Sequence, residues 1–268
     1  MIRMISTECR KLFMSSTFIF GCLLIFALSM TAAVYSDDDS GKAYTVLEAL
    51  TALPASVRQN ELSAFEVMLS GLSGVYGELF LPIAVGMGFV PLICTERRTN
   101  AARTQLIRTT KNQYVLGKII SIVLCGGCTV LFGFLLYCGF VWLTFPHIMI
   151  EDGLMLYGTP LQHFCKVALG KFLIGCVSVF PILLMCTISK QQYIILCMPV
   201  LFRFLMMCIG SYLISYEALQ HYRYFMPEGA SLLLFRFSWI DLLIVFVIPI
   251  ICSVVFWLHL RKKVDCGE

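Results

Sequence analysis

Two Gly-Lys pairs in this sequence come closest to a nucleotide-binding loop, namely Gly117-Lys118 and Gly170-Lys171. A phosphate-binding loop of the form G-x-x-x-x-G-K-[ST] needs a leading glycine and a hydroxyl side chain after the lysine, which holds magnesium. Both pairs lack these two residues. We therefore expect the chain to hydrolyse no nucleotide by itself.

The other residues that could act in catalysis or bind a metal are scattered. Cys125 and Cys128 form a C-x-x-C without a second Cys or His pair, whereas a structural zinc site needs four ligands. The remaining cysteines lie in apolar blocks or short tails, where we expect them to pack as small apolar side chains. Glu217 and His221 have i, i+4 spacing, which is more typical of a solvated pair than of a catalytic site. The sequence therefore predicts no catalytic residue, no metal site and no cofactor bound by this chain.

Charged residues inside apolar segments are a further class of candidate, because an Arg at the centre of a membrane helix costs roughly 2.5–3.5 kcal/mol. Arg203 and Lys171 each lie deep inside an apolar segment. Glu78 and Asp241 lie near the ends of two other segments and are the acids that could face them. We expect these charges to pair with one another or with a lipid phosphate. The alternative is that they line the pathway of an anionic substrate.

Such residues must be carried by membrane-spanning helices. The 268 residues are 59% apolar and 13% charged, with a mean hydropathy of +0.86. A soluble domain is roughly 45–50% apolar and about 25% charged. The apolar residues come in blocks of about 20, the length that crosses a bilayer as a helix. The composition excludes a soluble protein and predicts an all-α, polytopic membrane protein with a single transmembrane domain over residues 1–268.

Six spans are predicted within this domain. They cover residues 17–35, 75–95, 114–145, 161–189, 193–214 and 239–259. The second contains Pro82 and Gly88, which are typical causes of a kink. Residues 1–15 are predicted to form an amphipathic helix in the membrane interface, since Ile5, Cys9 and Leu12 share one helical face.

Three polar or mixed segments separate the spans. Residues 36–74 are expected outside the cell and to contain short helices. One helical face of this segment holds Leu62, Phe65, Leu69 and Leu72. Residues 96–113, which we name the basic loop, are expected in the cytosol. Residues 215–238 are too apolar for a free loop and too short to span, so they are expected to form an external or re-entrant segment.

The orientation follows from the positive-inside rule, under which loops rich in Lys and Arg stay in the cytosol. With both termini inside, the cytosolic segments hold 13 of the 20 basic residues. Most of the acids, including Asp37, Asp38 and Asp39, then lie outside. The sequence predicts a multi-pass protein of the cell membrane with both termini in the cytoplasm.

The basic loop has a specific pattern. Glu96 leaves the second span, and Ala102, Leu106 and Ile107 lie on one face of a basic turn. The third span then opens with Tyr114-x-x-Gly117-Lys118. Topology explains the Arg and Lys residues of the loop, but it explains neither its apolar ridge nor Glu96. A loop of this kind is suited to packing against a partner, and the alternative is an ordinary cytosolic loop.

This pattern resembles the permease subunits of ABC-2 type transporters, whose second and third spans are joined by an acidic residue, basic or small residues, a short helix and an aromatic residue with Gly-Lys. Six spans, an interfacial helix and a long external segment after the first span match the layout of that family. The length is similar to that of permeases from bacterial peptide-antibiotic export and immunity systems. The loop departs from the family pattern by lacking Gly and Pro, with Asn100-Ala101 and Thr109–Asn112 in their place.

The resemblance implies an ABC-2 (type V exporter-like) fold and a transport role. The chain would export an amphipathic peptide, drug or lipid-like compound, using ATP and magnesium bound by a separate ABC ATPase subunit. Further expected partners are a second permease subunit, identical or paired, and membrane lipids, but not nucleic acid. The basic loop would be the coupling loop. Its residues at the ATPase interface would be Glu96, Arg97, Arg98, Asn100, Arg103, Leu106, Ile107 and Arg108.

Two other classes of protein stay open as alternatives. A secondary transporter or channel is expected to show internal repeats with matching broken helices. An intramembrane enzyme is expected to carry paired acids or a His cluster inside its spans. The sequence offers neither a convincing repeat nor such a cluster, so we expect a transport subunit that is not itself an enzyme.

Overall fold

The computed structural model describes residues 2–36, 42–54, 57–58, 62–99, 110–146, 160–189 and 191–214, with five further positions between 251 and 258. The described part is mostly helical, as predicted. Its helices are α1 (Ile2–Phe13), α2 (Ser16–Ser29), α3 (Val46–Thr51), α4 (Ala64–Ser70), α5 (Val75–Met87), α6 (Val90–Arg98), α7 (Lys111–Thr144), α8 (Pro160–Ile188) and α9 (Gln192–Ile214). Two strands, β1 (Ala33–Ser36) and β2 (Ala43–Thr45), pair antiparallel.

The first two helices meet at a bend of 61°. The Ser15 hydroxyl accepts a hydrogen bond from the backbone N–H of Thr17 at 3.2 Å and so caps the start of α2. Helix α1 is amphipathic, as predicted, and its residue Leu12 is 2% exposed within the core. The bend separates α1 from the first apolar segment at the position that the sequence indicates.

The predicted first span, residues 17–35, is wrong at its end. Helix α2 stops at Ser29, and Ala33–Ser36 forms a strand instead. Val34 and Tyr35 favour extended backbone, and Tyr35 lies opposite Tyr44 in β2. The mostly helical fold therefore includes a small sheet that the all-α prediction did not contain.

The predicted kink in the second span is confirmed. The axes of Leu79–Met87 and Val90–Arg98 differ in direction by 45°. Pro82 lies inside α5, and Pro91 lies in the first turn of α6, where a missing N–H costs no helical hydrogen bond. Helix α6 continues to Arg98, so the first residues of the basic loop are helical rather than irregular.

Two helices in the described part, α7 and α8, are long and apolar enough to cross a membrane. The number rises to four if each bent pair, α1 with α2 and α5 with α6, forms one span. The apolar stretch Gln192–Leu205 of α9 is shorter. The predicted external or re-entrant segment, residues 215–238, lies outside the described residues. The predicted sixth span, residues 239–259, also lies outside them apart from the five described positions, of which Phe256 is 1% exposed within the core.

Helices α7 and α8 approach closely because glycines lie between them. A Cβ on Gly175 would lie 2.8 Å from the carbonyl oxygen of Gly126 and 3.0 Å from the Cα of Gly127. Since even a methyl group would overlap these backbone atoms, the two helices contact each other through main chain. Small residues at such contacts are typical of packed membrane helices, where dispersion replaces the hydrophobic effect.

The hairpin cap, which we define as β1, β2, α3 and α4, packs on the C-terminal half of α7. Val46 of α3 and Val67 of α4 are buried in one cluster with Phe134 and Tyr137 of α7. The Tyr137 hydroxyl donates a 2.7 Å hydrogen bond to the carbonyl oxygen of Val67. The predicted short helices in residues 36–74 are therefore confirmed.

The buried face of α4 differs from the predicted one. Ala64, Val67 and Met68 are buried in the helix. Leu62 and Leu72 are also buried, but they lie outside α4, and Leu72 has a positive φ of 64°. The single helical face predicted from the spacing of the leucines is wrong, because the chain turns at both ends of a short helix.

Candidate docking site and its buried charges

The ends of the basic loop are joined by an ion pair. The ammonium of Lys118 in α7 donates to Oε2 of Glu96, at the end of α6. The Lys118 side chain is 9% exposed and the Glu96 side chain 12% exposed. The hydroxyl of Tyr114, one turn before Lys118, lies 3.4 Å from the same ammonium. Glu96 and the Tyr-x-x-Gly-Lys sequence, which are separate in the chain, therefore form one contact in the structure.

Helix α1 adds two more charges to this contact. Lys11 Nζ lies 2.9 Å from Oε1 of Glu8, one turn earlier, and 4.0 Å from Oε1 of Glu96. Glu8 is 3% exposed. We name Glu8, Lys11, Glu96 and Lys118 the ionic quartet. Its two acids and two bases give it no net charge, which suits its buried position, since buried charges need partners.

Two small residues of α7, Gly117 and Ser121, lie where α1 packs against it. A Cβ on Gly117 would meet Met4 of α1 at 3.5 Å, which is an ordinary contact, so a larger side chain here would reach α1. The Ser121 hydroxyl donates to the carbonyl oxygen of Gly117 at 2.8 Å and lies 3.4 Å from that of Ile5. This packing positions Lys118 beside the charges of α1.

Arg97 attaches the end of α6 to a third helix. Its Nη1 donates a 2.7 Å hydrogen bond to the carbonyl oxygen of Cys186, in the last turn of α8. Carbonyl groups in the last turn of a helix lack intrahelical donors and carry a partial negative charge, so they attract a guanidinium. Nη2 of Arg97 is buried without a hydrogen-bond partner in the described part of the chain.

The structure divides the predicted interface residues into two groups. Glu96 and Arg97 are turned into the protein, and Arg98 is exposed beside them. The others lie outside the described residues, namely Asn100, Arg103, Leu106, Ile107 and Arg108. The role of all eight residues at an ATPase interface stays a prediction.

Three of the predicted intramembrane charges lie on three different helices of the described part. Lys171 of α8 is 8% exposed, and Arg203 of α9 is half-buried. Glu78 belongs to α5, and Asp241 lies outside the described residues. Their pairing with one another stays a prediction.

The C-x-x-C lies in a helix. Cys125 is fully buried in α7 and Cys128 is half-buried, and both are free thiols. Over the described ranges, the structure contains no group of three or more His, Cys, Asp or Glu residues that could hold a metal ion.

Sequence reasoning missed Glu8, Lys11 and Lys118 as members of the site. A signal was present, because Glu8 falls between Ile5, Cys9 and Leu12 on the apolar face of α1, where an acid needs a buried partner. The base beside Glu8 is Lys11, three residues later, and helical spacing could have indicated this pair. Glu96 and Lys118 are distant from α1 in the sequence and could not be found from spacing.

Comparisons with known proteins identify no relative. No family model, no curated protein and no solved structure matches this chain.

Proposed function

We propose that this chain is the permease subunit of an ABC-2-like exporter, which moves an amphipathic peptide, drug or lipid-like compound across the cell membrane. ATP is hydrolysed by a separate ATPase subunit that docks on the basic loop. The observation that carries this proposal is the attachment of both ends of the loop to the helices on either side. Both termini lie in the cytoplasm in this arrangement.

The attached ends favour a loop that transmits movement. The Glu96–Lys118 ion pair joins the end of α6 to the first turns of α7. Arg97 joins the same end of α6 to the last turn of α8 through Cys186. If the ends of the loop made no such contacts, a movement of the loop would be absorbed by the loop. With these contacts, the movement is transmitted to α6, α7 and α8.

The exposed charge of the loop indicates the surface on which it docks. Glu96 is neutralised inside the protein, and residues 97–113 contain no other acid. The loop therefore offers basic groups, of which Arg98 is exposed at the end of α6. Opposite charges on two partners steer their encounter and fix their orientation. We expect the groove on the ATPase to be acidic at its rim and apolar where it receives Leu106.

The bent helix pair α5–α6 supports a conformational change. The break at Gly88 and Phe89 lies between the basic loop and the rest of the second span. Closure of the ATPase would shift α6 about this break and so rearrange the helices packed against it. The ligand-free and closed states of the ATPase would bind the basic loop with different affinities, because a partner shifts a conformational equilibrium only through its difference in affinity for the two states.

The apolar surface supports contact with lipids and with a second permease. Phe18, Ile19 and Leu23 of α2, with Leu135 and Leu136 of α7, line a groove of about 360 Å³. An apolar groove on spanning helices is covered by acyl chains or by another membrane helix.

The experiment is purification of the full-length chain from native membranes with a mild crosslinker, followed by identification of the bound proteins and a transport assay. The wild-type protein should retain a chain with a phosphate-binding loop. Leu106→Asp should weaken this association about tenfold or more and uncouple ATP turnover from transport, because burying the Leu side chain contributes about 1.5–3 kcal/mol.

The matched control is Thr104→Asp, which adds the same charge to the loop away from its apolar ridge. It should weaken association much less than Leu106→Asp does, since it changes the charge of the loop without burying a carboxylate, and ATP turnover should stay coupled to transport. Absence of any ATPase from the wild-type complex, or unchanged transport by Leu106→Asp, would remove the proposal. Transport by the purified chain alone, driven by an ion gradient, would favour the secondary-transporter alternative.

A further inference from the structure

The ionic quartet joins segments that are distant in the sequence. Glu8 and Lys11 belong to α1, Glu96 ends α6, and Lys118 lies in α7. The basic loop connects α6 to α7, but α1 is at the other end of the chain. The contact of α1 with both ends of the loop therefore needs an explanation beyond loop closure.

The charges of the quartet alternate in sign along a row. Glu96 uses its two oxygens separately, with Oε2 accepting from Lys118 and Oε1 lying 4.0 Å from Lys11. Lys11 in turn lies between the carboxylates of Glu96 and Glu8. Each inner member therefore faces two opposite charges, and loss of one inner charge leaves its neighbours with fewer partners.

Burial makes these contacts strong enough to matter. The side chains of Glu8, Lys118 and Glu96 are 4%, 9% and 12% exposed, and that of Lys11 is 40% exposed. Pairs in water contribute little because solvent screens them, whereas removal of one member of a buried pair leaves an uncompensated charge. The Glu96–Lys118 pair is therefore the strong contact of the quartet, and the contact of the partly exposed Lys11 with Glu96 is weaker because solvent screens it.

The packing of α1 also attaches it to the helix that follows the basic loop. α1 lies against α7 near Gly117 and Ser121, while it meets α2 at a 61° bend. The backbone between the two helices is short and contains the Ser15 cap. α1 is therefore attached to the start of α7 by side chains and to α2 by a turn.

We propose that the ionic quartet makes α1 a mechanical part of the basic loop. The Lys11–Glu96 contact holds α1 to the end of α6, so that α1 moves together with both ends of the loop and pivots on the turn before α2. A displacement of the loop thereby reaches an amphipathic helix at the start of the chain. This property belongs to the chain alone, and it holds whether or not an ATPase docks on the loop.

The test is amide hydrogen exchange of the full-length chain in discs of phosphatidylcholine, whose headgroups carry no net charge to compete for Lys11. The readout is the exchange of residues 4–13. Glu96→Gln, a change on α6, should speed the exchange of α1 about two- to fivefold, because an ion pair with a partly exposed member contributes about 0.2–1 kcal/mol. Arg98→Gln is the matched control at the exposed end of the same helix and should leave α1 unchanged. The protection of α8 serves as the reference for a folded protein.

A second variant separates direct coupling from general loosening. Glu96→Gln leaves Lys118 buried without its acid, which alone could loosen α7. The double variant Glu96→Gln with Lys118→Met removes the pair without leaving that charge, but still deprives Lys11 of Glu96. Fast exchange of α1 in the double variant supports the proposal. Wild-type exchange of α1 in the double variant, or in Glu96→Gln itself, would overturn it.

Discussion

The two ends of α7 are held by different forces. Near its first turns, Lys118 belongs to the ionic quartet, which ties α7 to α1 and α6, and the Tyr114 hydroxyl lies beside its ammonium. Near its last turns, Phe134 and Tyr137 pack among the apolar residues of the hairpin cap. One long helix thus carries an ionic contact at one end and an apolar contact at the other.

The difference shows how each end is specified. Apolar packing is non-directional and depends on shape and area, so it tolerates moderate changes in sequence. Buried charges are tolerated only when opposite charges lie beside them, so each partner must be at its place. The basic-loop end therefore depends on a few residues from distant parts of the chain, while the hairpin-cap end depends on many residues close together.

The largest effect is expected from Lys118→Met at the ionic end. The variant leaves Glu96 buried with Lys11 as its remaining base, 4.0 Å away. We expect the free energy of unfolding to fall by about 3 kcal/mol, the lower end of the effect of removing one partner of a buried pair. Equilibrium unfolding in detergent micelles measures it.

Its control is the double variant Glu96→Gln with Lys118→Met, which removes both charges. This variant should recover a large part of the lost stability, because no buried carboxylate is left without its lysine. A double variant less stable than Lys118→Met would show that the two charges do not act as a pair.

A smaller effect is expected from Tyr137→Phe at the hairpin-cap end. The change keeps the ring in the apolar cluster and removes the 2.7 Å hydrogen bond to the carbonyl oxygen of Val67. That oxygen keeps the 2.8 Å hydrogen bond that the Ser70 hydroxyl donates. The loss should therefore be about 0.5–1.5 kcal/mol, the net contribution of one hydrogen bond, and the same unfolding experiment measures it. Tyr76→Phe, at a residue 63% exposed, is the matched control and should change nothing. Equal stability of the two variants would mean that the hydrogen bond of Tyr137 contributes nothing.

The two ends also differ in how far the sequence predicts them. The long helix α7 follows from an uninterrupted apolar run, and its structure, Lys111–Thr144, begins slightly before the predicted 114–145. The break after Met87 follows from prolines and glycines. Such features are local, so the pattern of neighbouring residues is enough to find them.

Features that depend on distant contacts were not predicted. The strand Ala33–Ser36 forms because Ala43–Thr45 returns beside it, although its sequence also reads as the end of an apolar span. Glu96 was expected to face a partner protein, and in the structure its carboxylate faces Lys118. A charge pattern shows that an acid needs a base, but the fold decides which base is near.

The smallest effect is expected from the protonation of Glu48, a charged residue of the hairpin cap at the apolar end of α7. The backbone N–H of Thr45 donates to its carboxylate, and the Thr45 side chain and Lys42 add to this, so the pKa of Glu48 is lowered. Because the folded pKa is below the unfolded one, the contribution to stability is present above the ordinary pKa of about 4.3 and is lost as the pH falls through the lowered folded value. Amide exchange of Val46–Thr51 should therefore rise below about pH 4 in the wild type. Glu48→Gln keeps the shape of the side chain without its titration, so its exchange should lack this additional rise once the intrinsic pH dependence is subtracted. The same rise in both proteins would mean that the acid sensitivity of this end comes from groups other than the helix cap.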